Sequence, residues 1–441
     1  MPLSLAQSQI YGQLFGDPEI EALFSDSAEM AAMLKVEAAL AQVQANLGLI
    51  PAEAAGFIAQ ATATLPLDPA ALASETARNG VPVPALLAAL RATAQAPAQM
   101  HYLHWGATSQ DIMDTGLALR LRPLLALWES RIQAVLARLA QLAEAHAELP
   151  MAARTYGQIA TPTSFGAVAA GWGWPLIAAG TRLAELRPLV LQVSLSGAAG
   201  TLAAMGPRGP EVRAGLAATL DLADPDHSWH ADRSGITALA GFAASLAGSL
   251  GKLGEDLILL SQSGLAEVSL GGGGSSSTMP QKQNPVAASA LVALARMVIG
   301  QAAILQGAGL HRQQRDGAAW FTEWLTLPQC CAGLGRMLGL AQDCLNALRP
   351  EPEAMQAQME TSQGSLMAEA LTFALARQMP RPQAEAQVKA LLAKAAAQRQ
   401  SLATLACAET PSLDWAAIKA ASLGQAPAEA RRFAQRLAQT G

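Results

Sequence analysis

The sequence has 441 residues, of which 51% are hydrophobic and 14% are charged, and its formal net charge is −5. Such a chain can bury a large core, and its shortage of charge favours the burial of further surface in an oligomer. The acidic balance excludes a generic nucleic-acid binder, because such a protein needs a basic face. Aromatic residues make up only 4%, which favours close-packed helices over a β-sandwich.

The first residues and the uncharged stretches of the sequence show no pattern of a secretory signal or of a membrane span. Residues 1–20 lack a basic region followed by an apolar core, so we expect no secretory signal. The uncharged stretches 155–181 and 234–251 are interrupted by glycine, proline or serine, which indicates buried protein rather than membrane spans. The four cysteines lack metal-ligand spacing and suit a reducing cytoplasm. We therefore expect a cytoplasmic protein without membrane or nucleic-acid partners.

Helical periodicity runs through nearly the whole chain. Apolar residues over 132–142 follow one helix face, and Pro150 follows its end. The longer stripe over 239–260 requires partner helices along its length, as in a long bundle. The stripe over 291–305 contains only Arg296 as a charge, so we expect this helix to be buried on most sides.

Breaks in this periodicity indicate the domain organisation. Proline and glycine interrupt the N-terminal region, and around residues 350–352 the pattern changes to shorter, alanine-rich helices with more charge. We predict an all-α protein with an N-terminal helical domain (1–108), a central long-helix bundle (109–349) and a C-terminal helical domain (350–441).

Residues 270–285 form the most unusual segment of the chain. Four glycines, three serines and a threonine leave the backbone of 271–278 unrestrained, which is typical of a flexible linker. However, Lys282 and Asn284 follow between two prolines, which is also what a mobile lid over an anionic substrate would use. Both interpretations stay open on spacing alone. A phosphate-binding loop is disfavoured because no Gly-Lys-Ser/Thr follows.

Three segments together resemble the fumarase/aspartase superfamily. Residues 275–285 resemble its signature Gly-Ser-Ser-x-Met-Pro-x-Lys-x-Asn-Pro, with Ser275 in place of the leading glycine. Residues 104–115 resemble its His-x-Gly-x-Thr-Ser-x-Asp-x-x-Asp-Thr block, which we call block 1. Residues 154–162 resemble its Thr-x-x-Gln-x-Ala-x-Pro type of block, which we call block 2. The resemblance covers most of the chain, and 270–285 is called the catalytic loop below.

The resemblance implies a long-helix bundle that assembles as a homotetramer and shares its active sites between subunits. Enzymes of this superfamily eliminate or add a group β to a carboxylate. By position, Ser276 would handle the carbon-bound proton, while Lys282 and Asn284 would stabilise the aci-anion. A serine can act as a base only where cations and amides stabilise its anion and water is excluded. The substrate-binding positions implied by blocks 1 and 2 are His104, Thr108, Ser109, Thr155, Tyr156 and Gln158.

Two absent residues point to one branch of the superfamily. Many of its lyases carry a histidine at the position of Tyr156 and a glutamate at that of Ser289, a pair linked to protonation of the leaving group. Amines and alkoxides need that proton, whereas a carboxylate, whose acid has a pKa of about 4, leaves without it. In one branch of the superfamily the leaving group is the substrate's own carboxylate, so the resemblance to that branch implies the lactonisation of 3-carboxy-cis,cis-muconate to 4-carboxymuconolactone, in the protocatechuate branch of aromatic catabolism. Tyr156 either lines the pocket or donates a proton through its phenol.

Further segments resemble the muconate-lactonising branch. Residues 229–233 match a Trp-His-x-x-Arg element, and residues 315–324 match an Arg-rich segment that ends in Trp-x-x-Glu-Trp. Arg233 and Arg315 are expected to bind a tricarboxylate substrate, with a structural ion pair as the alternative. Trp320 is expected in the substrate pocket, with core packing as the alternative. No metal site and no cofactor are expected.

Two other functions compete with this one. An amine-eliminating lyase of the adenylosuccinate type would share the fold, but Tyr156 and Ser289 speak against it. A catalytically silent helical scaffold would also share the fold, but it would have no use for Ser276, Lys282 and Asn284 together.

Overall fold

The computed structural model of the chain describes residues 6–64, 68–93, 98–271, 274–275, 279 and 282–439. Helices dominate these residues, which confirms the predicted all-α fold class. In chain order the α-helices are α1 (Gly12–Phe15), α2 (Pro18–Leu23), α3 (Asp26–Asn46), α4 (Ala52–Thr64), α5 (Ala73–Asn79), α6 (Val83–Thr93), α7 (Ser109–Ala145), α8 (Phe165–Val190), α9 (Gly209–Leu220), α10 (Ser234–Leu260), α11 (Val286–Ala308), α12 (Gly317–Ala347), α13 (Pro352–Thr361), α14 (Ala368–Leu375), α15 (Arg381–Gln398), α16 (Leu402–Glu409), α17 (Trp415–Ala420) and α18 (Ala426–Ala438).

The predicted apolar stripes lie on long helices. The stripe over 239–260 falls within α10, and its leucines Leu239, Leu250 and Leu257 are buried. The stripe over 132–142 belongs to α7, which begins much earlier, at Ser109. A helix of 37 residues is stable because its apolar face is buried by tertiary packing, since helix propensity alone contributes little.

The prediction that the 291–305 helix is buried on most sides is wrong for the single chain. Leu294, Val298 and Leu305 are buried, but Ile299 and Ile304 of the same helix are 44% and 52% exposed. Helix α11 therefore buries one face within the chain and leaves another apolar face in solvent.

Two described helices, α10 and α11, are long and apolar enough to cross a membrane by length and composition alone. About half of the most apolar part of each is buried inside the protein, 56% for α10 and 50% for α11. Core helices of soluble proteins meet the same criterion, so this composition does not assign either helix to a bilayer.

Within the described residues, strands occur in three small antiparallel sheets of two strands each. The longest is a hairpin of β1 (Pro150–Thr155) and β2 (Gln158–Ser164), with a bulge between Ala152 and Arg154. The sequence analysis did not predict this hairpin, which carries block 2. The remaining strands are β3 (Val268–Ser269), β4 (Gly274–Ser275), β5 (Gln283–Asn284) and β6 (Arg349–Pro350), paired β3 with β6 and β4 with β5.

Contacts divide the chain into two compact units. Unit 1 comprises Met1–Ser130, Ala179–Gly248 and Leu294–Met337, and unit 2 comprises Arg131–Ala178, Ser249–Ala293 and Leu338–Gly441. The three-domain division with boundaries after residues 108 and 349 stays a prediction.

Each unit has an apolar core of its own. In unit 1, α3, α6, α7 and α9 contribute Val36, Leu86, Ile112 and Leu216, all fully buried. In unit 2, the helices α14 to α16 form a core that includes Leu371 and Leu402, also fully buried. Block 1 leads directly into the unit 1 core, because Ile112 lies one turn after the start of α7.

Helix α8 begins in close contact with the end of α7, and this generates a stability prediction. A Cβ on Gly166 would lie 2.5 Å from the Ala143 carbonyl oxygen and 2.6 Å from the Ala147 Cα, which are backbone atoms. Gly166→Ala should therefore lower the free energy of unfolding by about 1–3 kcal/mol, as overpacking does. Gly171→Ala, on the same helix with open space around it, should raise it by up to about 1 kcal/mol. Equal urea midpoints for the two variants would contradict this packing.

Candidate active site

Block 1 forms a tight turn immediately before α7. His104 and Gly106 have positive φ angles of 65° and 74°, and the Ala107 N–H donates to the His104 carbonyl at 3.3 Å. Glycine adopts this conformation without steric cost, whereas His104 does so under tertiary constraint. The turn places His104 four residues before Thr108, which directly precedes α7, and Ser109 is the first residue of that helix.

A buried carboxylate of α3 holds the His104 ring. Glu37 Oε1 lies 2.6 Å from His104 Nδ1, and the Glu37 side chain is fully buried. A carboxylate at Nδ1 makes this nitrogen the donor and fixes the orientation of the ring. Among the described residues no hydrogen bond engages His104 Nε2, so this nitrogen is available to a substrate.

Asp111 connects block 1 to two other segments of unit 1. Its buried carboxylate accepts hydrogen bonds from the backbone N–H groups of Thr108 at 2.9 Å, Ser196 at 2.8 Å and Gly197 at 2.9 Å. The fourth partner is His230 Nε2, at 2.7 Å. A buried carboxylate with four donors is well compensated for its lost hydration. The block 1 turn, the 194–200 loop and the loop before α10 are therefore held at one point.

Arg315 and Thr108 meet although 207 residues separate them in the sequence. Arg315 Nη1 donates to Thr108 Oγ1 at 2.9 Å, and Nη2 donates to the Ala198 carbonyl at 2.9 Å. The Arg315 side chain is exposed, and a guanidinium has five N–H donors in total. A cation beside a threonine hydroxyl at the start of a helix is suited to bind a carboxylate.

Arg233 is engaged within the chain instead of facing an open site. Its Nη1 donates to Asp114 Oδ2 at 2.7 Å, while Nε and Nη2 donate to the two Glu323 oxygens at 2.8 and 2.6 Å. Burial by itself lowers the pKa of this guanidinium, but the two carboxylates outweigh burial and the net shift is upward. Because Arg233 is only 2% exposed, the structure shows the ion pair that the sequence analysis kept as the alternative.

Trp320 likewise takes the alternative role, core packing. It is 3% exposed, its ring centroid lies 4.6 Å from that of Trp324, and its Nε1 donates to Asp114 Oδ1 at 3.3 Å. The expected pocket-lining role of Trp320 is therefore not supported by its position, since its polar atom already has a partner.

Block 2 lies at the tip of the β1–β2 hairpin in unit 2. Thr155 pairs with Gln158, and Tyr156 and Gly157 form the two-residue turn with positive φ angles of 53° and 74°. Such turns match the twist of antiparallel strands. Tyr156 is fully exposed in the single chain, so the three predicted substrate-binding side chains of block 2 sit together at an open tip.

An ion pair within unit 2 anchors the hairpin close to its tip. Arg154 Nη1 donates to Glu267 Oε2 at 2.6 Å, and the Glu267 side chain is fully buried. Glu267 precedes β3, which leads towards the catalytic loop. The sequence analysis assigned no role to either residue of this pair.

The catalytic loop begins and ends in a short pairing of strands. Gly274 pairs with Asn284 and Ser275 with Gln283. Lys282 is exposed, and its backbone N–H donates to the Met279 carbonyl at 3.0 Å. Ser276, the predicted catalytic serine, lies outside the described residues. The pairing places Gly274 next to Asn284, so the two ends of the segment that contains Ser276 lie side by side.

The predicted site residues thus fall into two groups. His104, Thr108, Ser109 and Arg315 belong to unit 1, whereas block 2 and the catalytic loop belong to unit 2. Within unit 1 the chain supplies a guanidinium, a hydroxyl and an oriented imidazole, which can bind and orient an anionic substrate.

The role of Asp111 gives a prediction that does not depend on the reaction. Asp111→Asn places an NH₂ group against at least one backbone N–H that now donates to the carboxylate, so the free energy of unfolding should fall by about 2 kcal/mol or more. Asp221→Asn is the control: Asp221 is exposed in a left-handed helix cap, where asparagine is tolerated, and should change stability by less than about 0.5 kcal/mol. Urea unfolding of both variants measures the difference, and equal midpoints would refute the role given to Asp111.

The chain is similar to known proteins over most of its length. Residues 16–300 match the model of a family described as lyase. A 3-carboxy-cis,cis-muconate cycloisomerase from Pseudomonas aeruginosa is 39% identical over 401 residues, which cover 90% of this chain and 87% of that protein. A nitrosuccinate lyase from Streptomyces davaonensis is 36% identical and covers 85% of this chain and 81% of its own length.

The fold is shared as well. The crystal structure of the 3-carboxy-cis,cis-muconate lactonizing enzyme from Pseudomonas putida superposes with a TM-score of 0.90 at 33% identity, and the match covers 98% of this chain and 99% of that one. The chain therefore belongs to the lyase family that it matches, and with it to the fumarase/aspartase superfamily that its blocks resemble.

Proposed function

We propose that this chain catalyses the lactonisation of 3-carboxy-cis,cis-muconate to 4-carboxymuconolactone. The observation that carries the proposal is its 39% identity, over 90% of the chain, to a cycloisomerase named for this substrate. In the reaction one substrate carboxylate oxygen bonds to a carbon of the diene, and the neighbouring carbon, α to another carboxylate, takes up a proton. No atom leaves the substrate, so no leaving group has to be protonated.

The residues of unit 1 suit the recognition of a polycarboxylate. Arg315 and the Thr108 hydroxyl, 2.9 Å apart, would bind one substrate carboxylate, and Ser109 follows at the first turn of α7. His104, oriented by Glu37, would donate from Nε2 to a second carboxylate when the ring is protonated. Arg233 and Trp320 would act on the substrate site indirectly, because both donate hydrogen bonds to Asp114 on α7.

The chemistry of the leaving group explains two uncharged positions. Tyr156 and Ser289 stand where many related lyases have a histidine and a glutamate. In the reverse reaction the lactone ring opens with a carboxylate as the leaving group, which departs without a proton. We assign Tyr156 to the wall of the pocket, with no role in proton transfer.

The catalytic loop would supply the proton-transfer group. In the ring-opening direction Ser276 removes the proton α to a carboxylate, while Lys282 and Asn284 stabilise the resulting aci-anion. The same groups deliver the proton in the lactonising direction. This requires a dry site, because only there are a lysine ammonium and an amide strong enough to stabilise the serine anion.

We further propose a cytoplasmic homotetramer whose active sites combine residues of different subunits. The exposed face of α11 in unit 1 supports assembly: Met297, Gly300, Ala303 and Ile304 are exposed and recur at helical spacing. Small residues in such a stripe let another helix approach closely, and the apolar ones gain from burial. The exposed tip of the β1–β2 hairpin is the second feature that a partner subunit would cover.

The reaction is tested by mixing the enzyme with 3-carboxy-cis,cis-muconate and following the ultraviolet absorbance of the conjugated diene. The absorbance should fall at a catalytic rate, because lactonisation removes one double bond from conjugation. Adenylosuccinate and nitrosuccinate are the controls for elimination chemistry. Turnover of either control without loss of the diene signal would contradict the proposed function and would show that the chain is an eliminating lyase.

The role of the loop serine is tested by alanine substitution at three neighbouring positions. Ser276→Ala should lower kcat by a factor of about 10² or more with little change in KM, because the hydroxyl acts in the transition state. Lys282→Met should be similarly damaging. The matched controls Ser275→Ala and Ser277→Ala should stay close to wild type. A large loss in Ser277→Ala together with an active Ser276→Ala would move the proton-transfer role to the other hydroxyl.

The role of Tyr156 is tested with two substitutions. Tyr156→Phe should change kcat little, since the phenol serves no proton transfer, and Tyr156→His should bring no gain, since there is no leaving group to protonate. Steady-state kinetics of lactonisation measure both. An accelerated Tyr156→His enzyme, or a Tyr156→Phe enzyme as slow as Ser276→Ala, would make residue 156 an acid catalyst.

Assembly is tested at one position of the α11 face. Light scattering should give four times the chain mass of 45.5 kDa for the wild type. Ile304→Glu should dissociate or destabilise the tetramer because it buries an unpaired charge, whereas the control Ile304→Met should not. A monomeric wild type at working concentration would overturn both the tetramer and the shared site.

A further inference from the structure

His311 lies in the segment 309–316 between α11 and α12, which also carries Arg315. Its side chain is only 1% exposed. Both ring nitrogens are buried, and neither has a hydrogen-bond partner among the described residues. A buried polar group without a partner costs free energy, which points to a role of this ring beyond packing.

A comparison with His230 shows what is unusual about the His311 ring. His230 Nε2 lies 2.7 Å from Asp111 Oδ1, a short hydrogen bond to a buried carboxylate. His311 Nε2 lies 4.0 Å from Glu323 Oε1, which is beyond hydrogen-bond distance. Glu323 Oε1 instead accepts a hydrogen bond from Arg233 Nε at 2.8 Å. The His311 ring is thus next to a carboxylate oxygen that a guanidinium already engages.

The charged groups around the His311 ring come from several elements. They are Asp114 of α7, Glu323 of α12, Asp316 directly before α12 and Arg233 directly before α10. Burial lowers the pKa of the ring below the ordinary value of a histidine, Arg233 lowers it further, and Asp316 and Asp114 oppose this shift only in part. Both of these carboxylates have other partners, Arg312 Nε at 2.6 Å for Asp316 and Arg233 for Asp114. The neutral ring is therefore the favoured state near neutral pH.

The buried His311 ring anchors a segment that is otherwise at the surface. Residues 312–315 are exposed. Arg315 reaches from this segment to Thr108 Oγ1 and to the Ala198 carbonyl, both at 2.9 Å. The position of the Arg315 guanidinium thus depends on the side chain that holds the segment in the core.

We propose that His311 is a pH-responsive positioning residue: the neutral ring keeps Arg315 beside Thr108, and protonation of the ring displaces the segment that carries Arg315. The proton comes from solvent and adds to the free lone pair of the imidazole, so the ring gains a second N–H and a positive charge. In its buried place this cation is repelled by Arg233 and attracted by Glu323 Oε1, 4.0 Å away. The imidazolium takes this oxygen from Arg233 Nε, and the movement shifts the segment. The resulting loss of stability does not depend on the proposed reaction, whereas the loss of substrate affinity rests on it.

Urea unfolding of the assembled protein at about pH 7.5 and about pH 5.5 tests the loss of stability. The pKa of His311 is lower in the folded protein than in the unfolded chain, so below about pH 6.5 the unfolded chain binds more protons and the urea midpoint falls. His311→Gln cannot take up this proton, so its midpoint should fall less than that of the wild type. His101→Gln is the matched control: His101 is exposed, and this variant should lose as much as the wild type.

A second variant, His311→Met, leaves no polar atom at the buried position. Its urea midpoint should fall as little on acidification as that of His311→Gln. At the higher pH both variants should stay close to the wild type, because the neutral ring makes no hydrogen bond that they could remove.

Steady-state kinetics of lactonisation test the positioning of Arg315. The KM values of wild type and His311→Gln should agree within about twofold at about pH 7.5, and the wild-type value should be at least about fivefold higher at about pH 5.5. The reason is that a displaced Arg315 binds the substrate carboxylate less well, so kcat should change less than KM. The titration of other groups, including His104, is common to both proteins and cancels in this ratio.

Two results would overturn the proposal. One is an equal fall of the urea midpoint in the wild type, His311→Gln and His311→Met. The other is a KM ratio that stays near one at the lower pH, because the ring would then titrate without moving Arg315. A protein that does not turn over 3-carboxy-cis,cis-muconate at all would refute the proposed function, and the urea comparison would still decide whether His311 is the acid-sensitive group.

Discussion

The buried carboxylate of Asp111 is the constraint on which the candidate site of unit 1 depends. Four donors converge on it, three from the backbone and one from His230, at 2.7–2.9 Å. An ionised carboxylate inside a protein is tolerable only with such compensation, so the segments that supply the donors cannot move independently. Arg315 bonds to two of these segments, through Thr108 and Ala198. The position of the Arg315 guanidinium therefore depends on the hydrogen bonds that stabilise a buried anion.

A second buried carboxylate, that of Asp114, lies one turn further along α7 and also needs compensation. Asp114 is also buried, and its charge is balanced by Arg233, which Glu323 shares from α12. A chain with only 14% charged residues has thus placed several of them in one buried network beside the start of a helix. Removing one member would leave the others uncompensated, a larger penalty than the net contribution of the intact pair. The network therefore orders the helices around block 1, and Arg233 belongs to this framework.

Patterns that are local in sequence could be predicted, and contacts between distant residues could not. The leucine stripe over 239–260 predicted α10, because helical spacing repeats within a few residues. The β1–β2 hairpin was missed because its first strand is alanine-rich and Tyr156 occupies a turn position where asparagine is typical. No pattern in the sequence near Arg315 or Thr108 indicates that these two residues are in contact. The role of Glu37, by contrast, could have been suspected from the sequence, because Glu37 is a single acidic residue on an apolar face of α3.

The exposure of the remaining site residues conflicts with the chemistry assigned to them, and the conflict points to assembly. Tyr156 is fully exposed and Lys282 is exposed in the single chain, whereas a serine becomes a base only in a site from which water is excluded. In a monomer, solvent would weaken the polar interactions of the three hairpin side chains that are proposed to bind the substrate. In the proposed tetramer a partner surface such as the apolar face of α11 would remove that solvent. The open hairpin tip and the exposed apolar face of α11 then have the same explanation: partner subunits of the proposed tetramer cover both.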